Sequence, residues 1–421
     1  MRDALAGERV EGPGAGDTDV VAGGSPAPVM PGERNPTLDI LRGFALFGVL
    51  LSNLNHYSPT HPSSASDNAV WWAQQWLIQN RFYSLLGFLF GIGFAIQLGR
   101  AEAQGRDVGP VFYRRMFVLL LFGIVHGMFI WDGDILTKFA VVGLFLPLYR
   151  RFSPRGLLVA AVATWFGAAY AQELLWRILA LPPLPPHPDW TRLYTSGTYA
   201  EILPARITDY VANNRMVILN FGLQSADFLA LFILGLWAVR SGLVANVGER
   251  LSSLRRAFWV ALVCITVGFI LNANIDAWWP PLRARPTWGS PHFWNARFVL
   301  RFGVPRFLIT WGTAAAYAIL LTLLAQRARV RAALGPLAAV GRMSLTTYLT
   351  QSVISTLLFY GYGLGWLGRV SYTGMLAIAC VIFGAQLASS TWWFRHYRFG
   401  PAEWFWRSLS YWKKQPMRVA T

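Results

Sequence analysis

The chain has 421 residues, of which 54% are hydrophobic and only 14% charged, with 20 Trp and 28 Phe. A soluble core cannot hold that much apolar surface, so a soluble globular domain is excluded and a membrane protein is indicated. The formal charge of +17 would suit nucleic acid, but the arginines recur in clusters beside apolar runs, which points to membrane-flanking loops and no nucleic-acid partner.

In chain order, residues 1–36 are rich in Gly, Pro and charge and lack the apolar segment of a signal peptide. They read as a disordered cytoplasmic tail. Residues 37–412 then form a single all-α transmembrane domain, a polytopic bundle of about ten helices, and 413–421 a short basic cytoplasmic tail. Spans are expected near Leu38–Asn53, Phe82–Leu98, Met116–Trp131, Ile135–Tyr149 and Gly156–Trp176 in the first half. The second half supplies Ser225–Val239, Ala257–Ala273, Phe307–Ala325, Ser344–Tyr360 and Met375–Trp393.

Arginine clusters occupy alternate connections: Arg106, Arg114 and Arg115; Arg150, Arg151 and Arg155; Arg250, Arg255 and Arg256; Arg327, Arg329 and Arg331. By the positive-inside rule both termini are then cytoplasmic, in a multi-pass protein of a bacterial inner membrane whose first partner is the lipid bilayer. Long connections near 177–224 and 274–305 fall outside. The first carries the rigid LPPLPPHPDW and then TYAEILPARITDYVANN, which reads as an amphipathic helix on the outer surface. The second carries Arg283, Arg285, Arg297 and Arg301 against the rule; either a long loop tolerates them or Phe293–Val304 is an interfacial segment.

Cys264 and Cys380 sit within spans as small packing residues, so neither a disulfide frame nor a metal site is expected. Nothing in the sequence specifies an oligomeric state.

Ionisable and polar groups inside spans are costly and mark candidate sites. Asp39 and Arg42 lie one turn apart near the start of the first span, with Asn53 at its far end. They form either a dipole-matched structural pair or a fixed donor fork for a phosphate or carboxylate. In HGMFIWDGDIL, His126 with Asp134 has the composition of a general base and its orienting carboxylate, if the chain turns back at Gly133. Asp132 and Asp134 also fit the solvated tip of a hairpin, with Asp134 capping the next helix. Arg81 and Tyr83 stand at the outer mouth of the second span, and Gly87 and Gly91 give it a close-packing face. Ser344, Thr347 and Gln351 form one polar stripe with Arg342 at its start, fitting either interhelical hydrogen bonding or a substrate track. Glu403 and Arg407 read as an ordinary helix pair beyond the last span.

The ordered motifs LDILRGFALFGVLLSN, FYSLLGFLFGIGFAI, HGMFIWDGDILTKFAVVGL, GRMSLTTYLTQS and FGPAEWFWRSL resemble the YeiB-type bacterial membrane proteins, the family called domain of unknown function 418. The first motif is distantly similar to that of integral-membrane acyltransferases. That resemblance implies transfer of an acyl group from cytoplasmic acyl-CoA, without a metal, to a cell-envelope glycan or lipid acceptor. Where the glycan O-acyltransferases carry a histidine at the end of the first helix, this chain has Asn53, with His56 beyond it. The base is then His126 or a shifted His56, or the chain is no acyltransferase.

The expected function is therefore acyl transfer. Arg42 and Arg342 would hold the donor, with Asp39, Arg81, Ser344, Thr347 and Gln351 completing the substrate site. His126 and Asp134 would act as base and orienter, and Asn53 would steady the oxyanion. The alternatives are a transporter for a small molecule and a non-catalytic scaffold.

Overall fold

The computed structural model describes residues 35–419 apart from 106, 108, 180–189, 221–222, 246 and 279–302. The expected tail before residue 35, most of LPPLPPHPDW, and Arg283, Arg285, Arg297 and Arg301 lie outside the described residues. Among those described, helices are the only extended elements, beside one isolated bridge between Tyr397 and Arg418. The protein is an all-α membrane protein.

Helix α1 (Pro36–Leu54) starts as its sequence dictates: the Asn35 side chain accepts from Thr37 N at 3.0 Å, and Pro36 occupies the first turn. It is buried along nearly all its length. Such closeness requires Gly43, because a Cβ there would strike the Leu337 carbonyl of α13 (Gly335–Arg342). Gly341 of α13 meets the Asp39 carbonyl in the same way.

After α2 (Ala65–Ala73) and a π-helical turn, the chain breaks at Asn80, whose φ of 67° is left-handed, and enters α3 (Arg81–Ala103). The Gly87 and Gly91 face of α3 packs on α9 (Leu223–Arg240), Gly91 against the Phe232 backbone.

Six helical stretches among the described residues are long and apolar enough to cross a bilayer, against about ten expected. They are Pro36–Tyr57, Ala65–Ala103, Gly109–Phe129, Gly248–Asn274, Val304–Leu324 and Tyr372–Trp393. They include α4 (Gly109–Phe129), and the pair α10 (Leu251–Trp278) and α11 (Val304–Leu324), which pack on each other. Exposed Trp259, Val260 and Val263 on α10 present a lipid-type surface. Two other expected spans are α6 (Pro154–Leu179) and α14 (Ser344–Phe359), the latter of 16 residues.

The expected span Ile135–Tyr149 is not one helix. It divides into α5 (Leu136–Gly143) and a 3₁₀ turn at Leu146–Tyr149, preceded by the non-helical Trp131–Ile135. Pro147 fits the break, since it has no N–H to give an α-helical ladder.

The expected surface helix is also corrected. Beyond α7 (Thr191–Ser196), α8 (Tyr199–Asn220) holds Arg206, Asp209, Tyr210 and Asn214 buried and packs on α4 and α5. Its polar face has partners inside the bundle.

The short α12 (Ala328–Ala333) leads into α13, and α15 (Tyr372–Trp393) into the amphipathic α16 (Pro401–Ser410). Asn35, at the start of α1, and Tyr411, at the end of α16, line one cavity. The two ends of the described chain therefore meet at one face of the bundle.

Candidate functional site

At that face lies a cavity of about 350 Å³ formed by α1, α3, α4, α13, α14, α16 and the start of α5. Among the described residues five arginines line it, Arg42, Arg100, Arg115, Arg342 and Arg407, all half-buried, beside two carboxylates, Asp39 and Glu403. Arg42 Nη1 donates to Asp39 Oδ1 at 2.7 Å, so the first-helix pair forms and its guanidinium sits in the cavity wall. Arg115 lies over the Trp406 ring, 4.4 Å from its centroid, which fastens α16 across the mouth.

Glu403 does a different job from the helix pair its spacing suggests. It accepts from the Leu345 and Thr346 backbone N–H groups and from the Thr346 hydroxyl at the N-terminus of α14. Burial pushes its carboxyl above the ordinary range, while the hydrogen bonds from Thr346 and Leu345 pull the other way.

The far end of the cavity is closed by Ile135, Leu136, Phe139 and Tyr348. Immediately behind this floor the His126 Nδ1 lies 2.9 Å from Asp134 Oδ1, with both side chains fully buried. Asp134 also accepts from Leu136 N at 3.1 Å and Thr137 N at 2.7 Å. Both sequence readings of Asp134 thus apply to one carboxylate: it caps α5 and it holds the imidazole. An ionised Asp134 selects the tautomer with hydrogen on Nδ1, which leaves the Nε2 lone pair available. Among the described residues Nε2 has no hydrogen-bond partner.

The local chain path explains why these residues meet eight positions apart. Helix α4 ends at Phe129, and the Ile130 and Trp131 N–H groups both bond to the His126 carbonyl at 2.9 Å. The non-helical segment then carries Asp134 back against α4, where Gly123 makes room: a Cβ there would meet Asp134 Oδ2 at 2.9 Å. Buried irregular backbone needs its polar groups satisfied, and Tyr348 Oη accepts from Ile135 N at 3.3 Å. The Tyr348 ring also packs on His126, with centroids 5.0 Å apart. The Thr137 hydroxyl continues the network to Tyr210 Oη of α8 at 2.8 Å.

Other predicted site residues lie elsewhere. Asn53 is buried, its side-chain oxygen bonded by the Tyr83 hydroxyl, and it does not line the cavity. Arg81 is buried beside the Gln79 carbonyl. Gln351 faces α15: its Nε2 donates to Gln386 Oε1 at 2.9 Å, and Gln386 Nε2 in turn donates to the backbone carbonyl of Thr347 at 3.1 Å. They join helices rather than line the cavity, whereas Ser344 does line it. His56 is exposed, its ring edge against Trp131.

The sequence reading places Arg115 among the loop charges and does not single out Arg100, Tyr348, Thr137, Gly123 or Tyr210. The Gly123 and Gly127 spacing on α4 was a legible close-packing signal; a Cβ on Gly127 would strike the Tyr210 ring.

Comparison with known proteins adds the following. A family model described as "Protein of unknown function (DUF418)" matches residues 238–413. The uncharacterized protein YxaH of Bacillus subtilis (strain 168) is 31% identical over 425 aligned residues, covering 94% of this chain and 98% of that protein. The uncharacterized protein YeiB of Escherichia coli (strain K12) is 30% identical over 406, covering 90% and 96%. An uncharacterized 39.9 kDa protein of Bacillus acidopullulyticus is 29% identical over 399, covering 93% and 97%.

Proposed function

The chain belongs to the DUF418 family of YeiB-type proteins, and from that premise we propose that it is a membrane acyltransferase. One observation carries this reading: a buried imidazole fixed by a carboxylate, with Nε2 unengaged, sits directly behind the floor of an arginine-lined cavity. Arginine forks suit the phosphates of an acyl-CoA donor. His126 Nε2 takes the proton from the acceptor hydroxyl or amine as that atom attacks the donor's thioester carbonyl. Collapse of the tetrahedral intermediate breaks the C–S bond, and the departing thiolate regains the proton from His126. Asn53, outside the cavity, has no part in this scheme. Tyr348 separates donor from base, so it must move for transfer to occur.

The arginine-rich face is cytoplasmic in this reading, with both termini there and the acceptor reached from the periplasmic side of the inner membrane. Reporter fusions at residues 103 and 153 should both report the cytoplasm; an external signal at either overturns the sidedness.

A second reading has an observation of its own. A cavity that gathers arginines from several helices, with Tyr348 in its lining, also suits a carrier for an anionic small molecule. Mass spectrometry of envelope lipids and glycans separates the two. Cells carrying the gene should contain an acylated species that is missing both without the gene and with His126→Gln. Identical acylation in all three refutes the transferase and leaves the carrier.

A further inference from the structure

The cavity's two ends make opposite chemical demands. Its mouth concentrates the five arginines, and one of the two carboxylates there already binds Arg42 while the other is held by the N-terminus of α14. Between mouth and floor the walls are apolar: Leu86, Leu89, Phe90 and Phe94 on α3 face Met116 and Leu119 on α4. A free phosphate would meet the guanidinium donors and leave the walls unfilled. A plain hydrocarbon would fill the walls and make no use of those donors. The volume of about 350 Å³ lies at the lower end of the range for small-ligand sites.

We propose that this cavity binds an amphiphile whose phosphate-bearing head is held by Arg100, Arg115 and Arg407 together with Arg42 and Arg342, and whose acyl chain lies between α3 and α4. The inference rests on the acyl-transfer reading for its claim that the ligand is the donor, and goes beyond it in the chain. The depth of apolar wall selects a chain of several carbons over an acetyl group. Tyr348 and Phe139 at the floor set its upper length.

Gly93 supplies the decisive variant. It lines the cavity, and a Cβ there would meet nothing nearer than the Arg42 Nη2 at 4.0 Å. A leucine at 93 therefore projects into the cavity without a clash against the backbone, while alanine barely intrudes.

The test is ligand binding to the full chain in nanodiscs. The probes are coenzyme A, its acetyl, butyryl, hexanoyl, octanoyl and palmitoyl thioesters, and lysophosphatidic acids of matched chain length. Affinity should rise up to about fourfold for each methylene buried, then level off once the chain reaches the floor. Arg115→Gln should weaken the acyl ligands roughly tenfold or more. Gly93→Leu should abolish saturable binding at an unchanged melting temperature, and Gly93→Ala should retain it.

Preference for the thioesters identifies a soluble donor, and preference for the lysophosphatidic acids a lipid donor; either supports the site. Equal affinity for coenzyme A and octanoyl-CoA, no saturable binding to either series, or wild-type affinity in Gly93→Leu overturns it. Chain-dependent binding without any transferred acyl group would refute the transferase and leave the site standing. Transfer without chain-dependent binding would do the reverse.

Discussion

The two faces of the bundle use arginine in opposite ways. At one, five half-buried arginines border open space. At the other, Arg206 is fully buried: its Nη1 donates to the Phe129 carbonyl at 2.8 Å, its Nη2 to the Tyr362 hydroxyl at 3.3 Å, and the rings of Tyr199, Tyr360 and Tyr362 surround it. Nearby, Asp209 accepts from Trp190 Nε1 and the Tyr194 hydroxyl at 3.0 and 3.1 Å. A fully buried cation whose donors end on carbonyls and rings fastens helices; the cavity arginines also make such contacts, Arg115, Arg342 and Arg407 lying over Trp406, Phe394 and Phe399, but keep part of their surface open, and in the proposed function that part meets the ligand. Environment separates the two roles, since the residue type is the same.

The strongest test of this contrast lies between the faces. His126→Gln should reduce transfer by about 10²–10⁴-fold, the usual worth of a general base, with expression and melting temperature maintained; Asp134→Asn should lose less. A fully active His126→Gln protein would make the histidine a packing residue. Next in size is Arg206→Ala, which removes a buried cation from partners on α4, on its own helix and in the turn after α14. It should destabilise the fold by on the order of 3 kcal/mol, read as a fall in melting temperature in detergent. An unchanged melting temperature in Arg206→Ala would show that this arginine fastens nothing.

The Asp39 and Arg42 pair is partly exposed to the cavity, so screening limits it to about 1 kcal/mol. Asp39→Ala or Arg42→Ala should lower folded yield modestly, and the exchange of Asp39→Arg with Arg42→Asp should recover part of it. A double exchange worse than both singles would show that position, not pairing, matters.

The smallest effect is on α16. Burial raises the Glu403 carboxyl, so the folded state favours its protonated form. Stability from this group is complete below the unfolded value of 4.5 and is lost as pH rises through the folded value. Hydrogen exchange in Pro401–Ser410 should quicken over that window and lose its pH dependence beyond intrinsic exchange in Glu403→Gln. The same profile in both proteins would assign the effect elsewhere.

How far the sequence revealed these features depended on the range of the contact concerned. Asp39 with Arg42 and the α3 glycine face were legible because helical geometry fixes neighbours three or four residues apart. Hydropathy also identified the membrane class. It misread Ile135–Tyr149, because apolar side chains facing protein and facing lipid look alike in sequence. It put α8 on the surface because Tyr360 and Tyr362, two of the three tyrosines around Arg206, lie more than 150 residues away.

By itself the sequence determined the chemical inventory: an apolar bundle, basic connections, and a histidine with carboxylates near the end of α4. Tertiary structure alone decided that Asp134 returns to His126, that Gln351 turns to Gln386, and that arginines from five helices converge on one cavity. The physical reason is that periodicity specifies which face of a helix is apolar. What that face meets follows from glycine-permitted approaches such as Gly123 to Asp134 and Gly341 to Asp39, which become contacts only when distant segments pack.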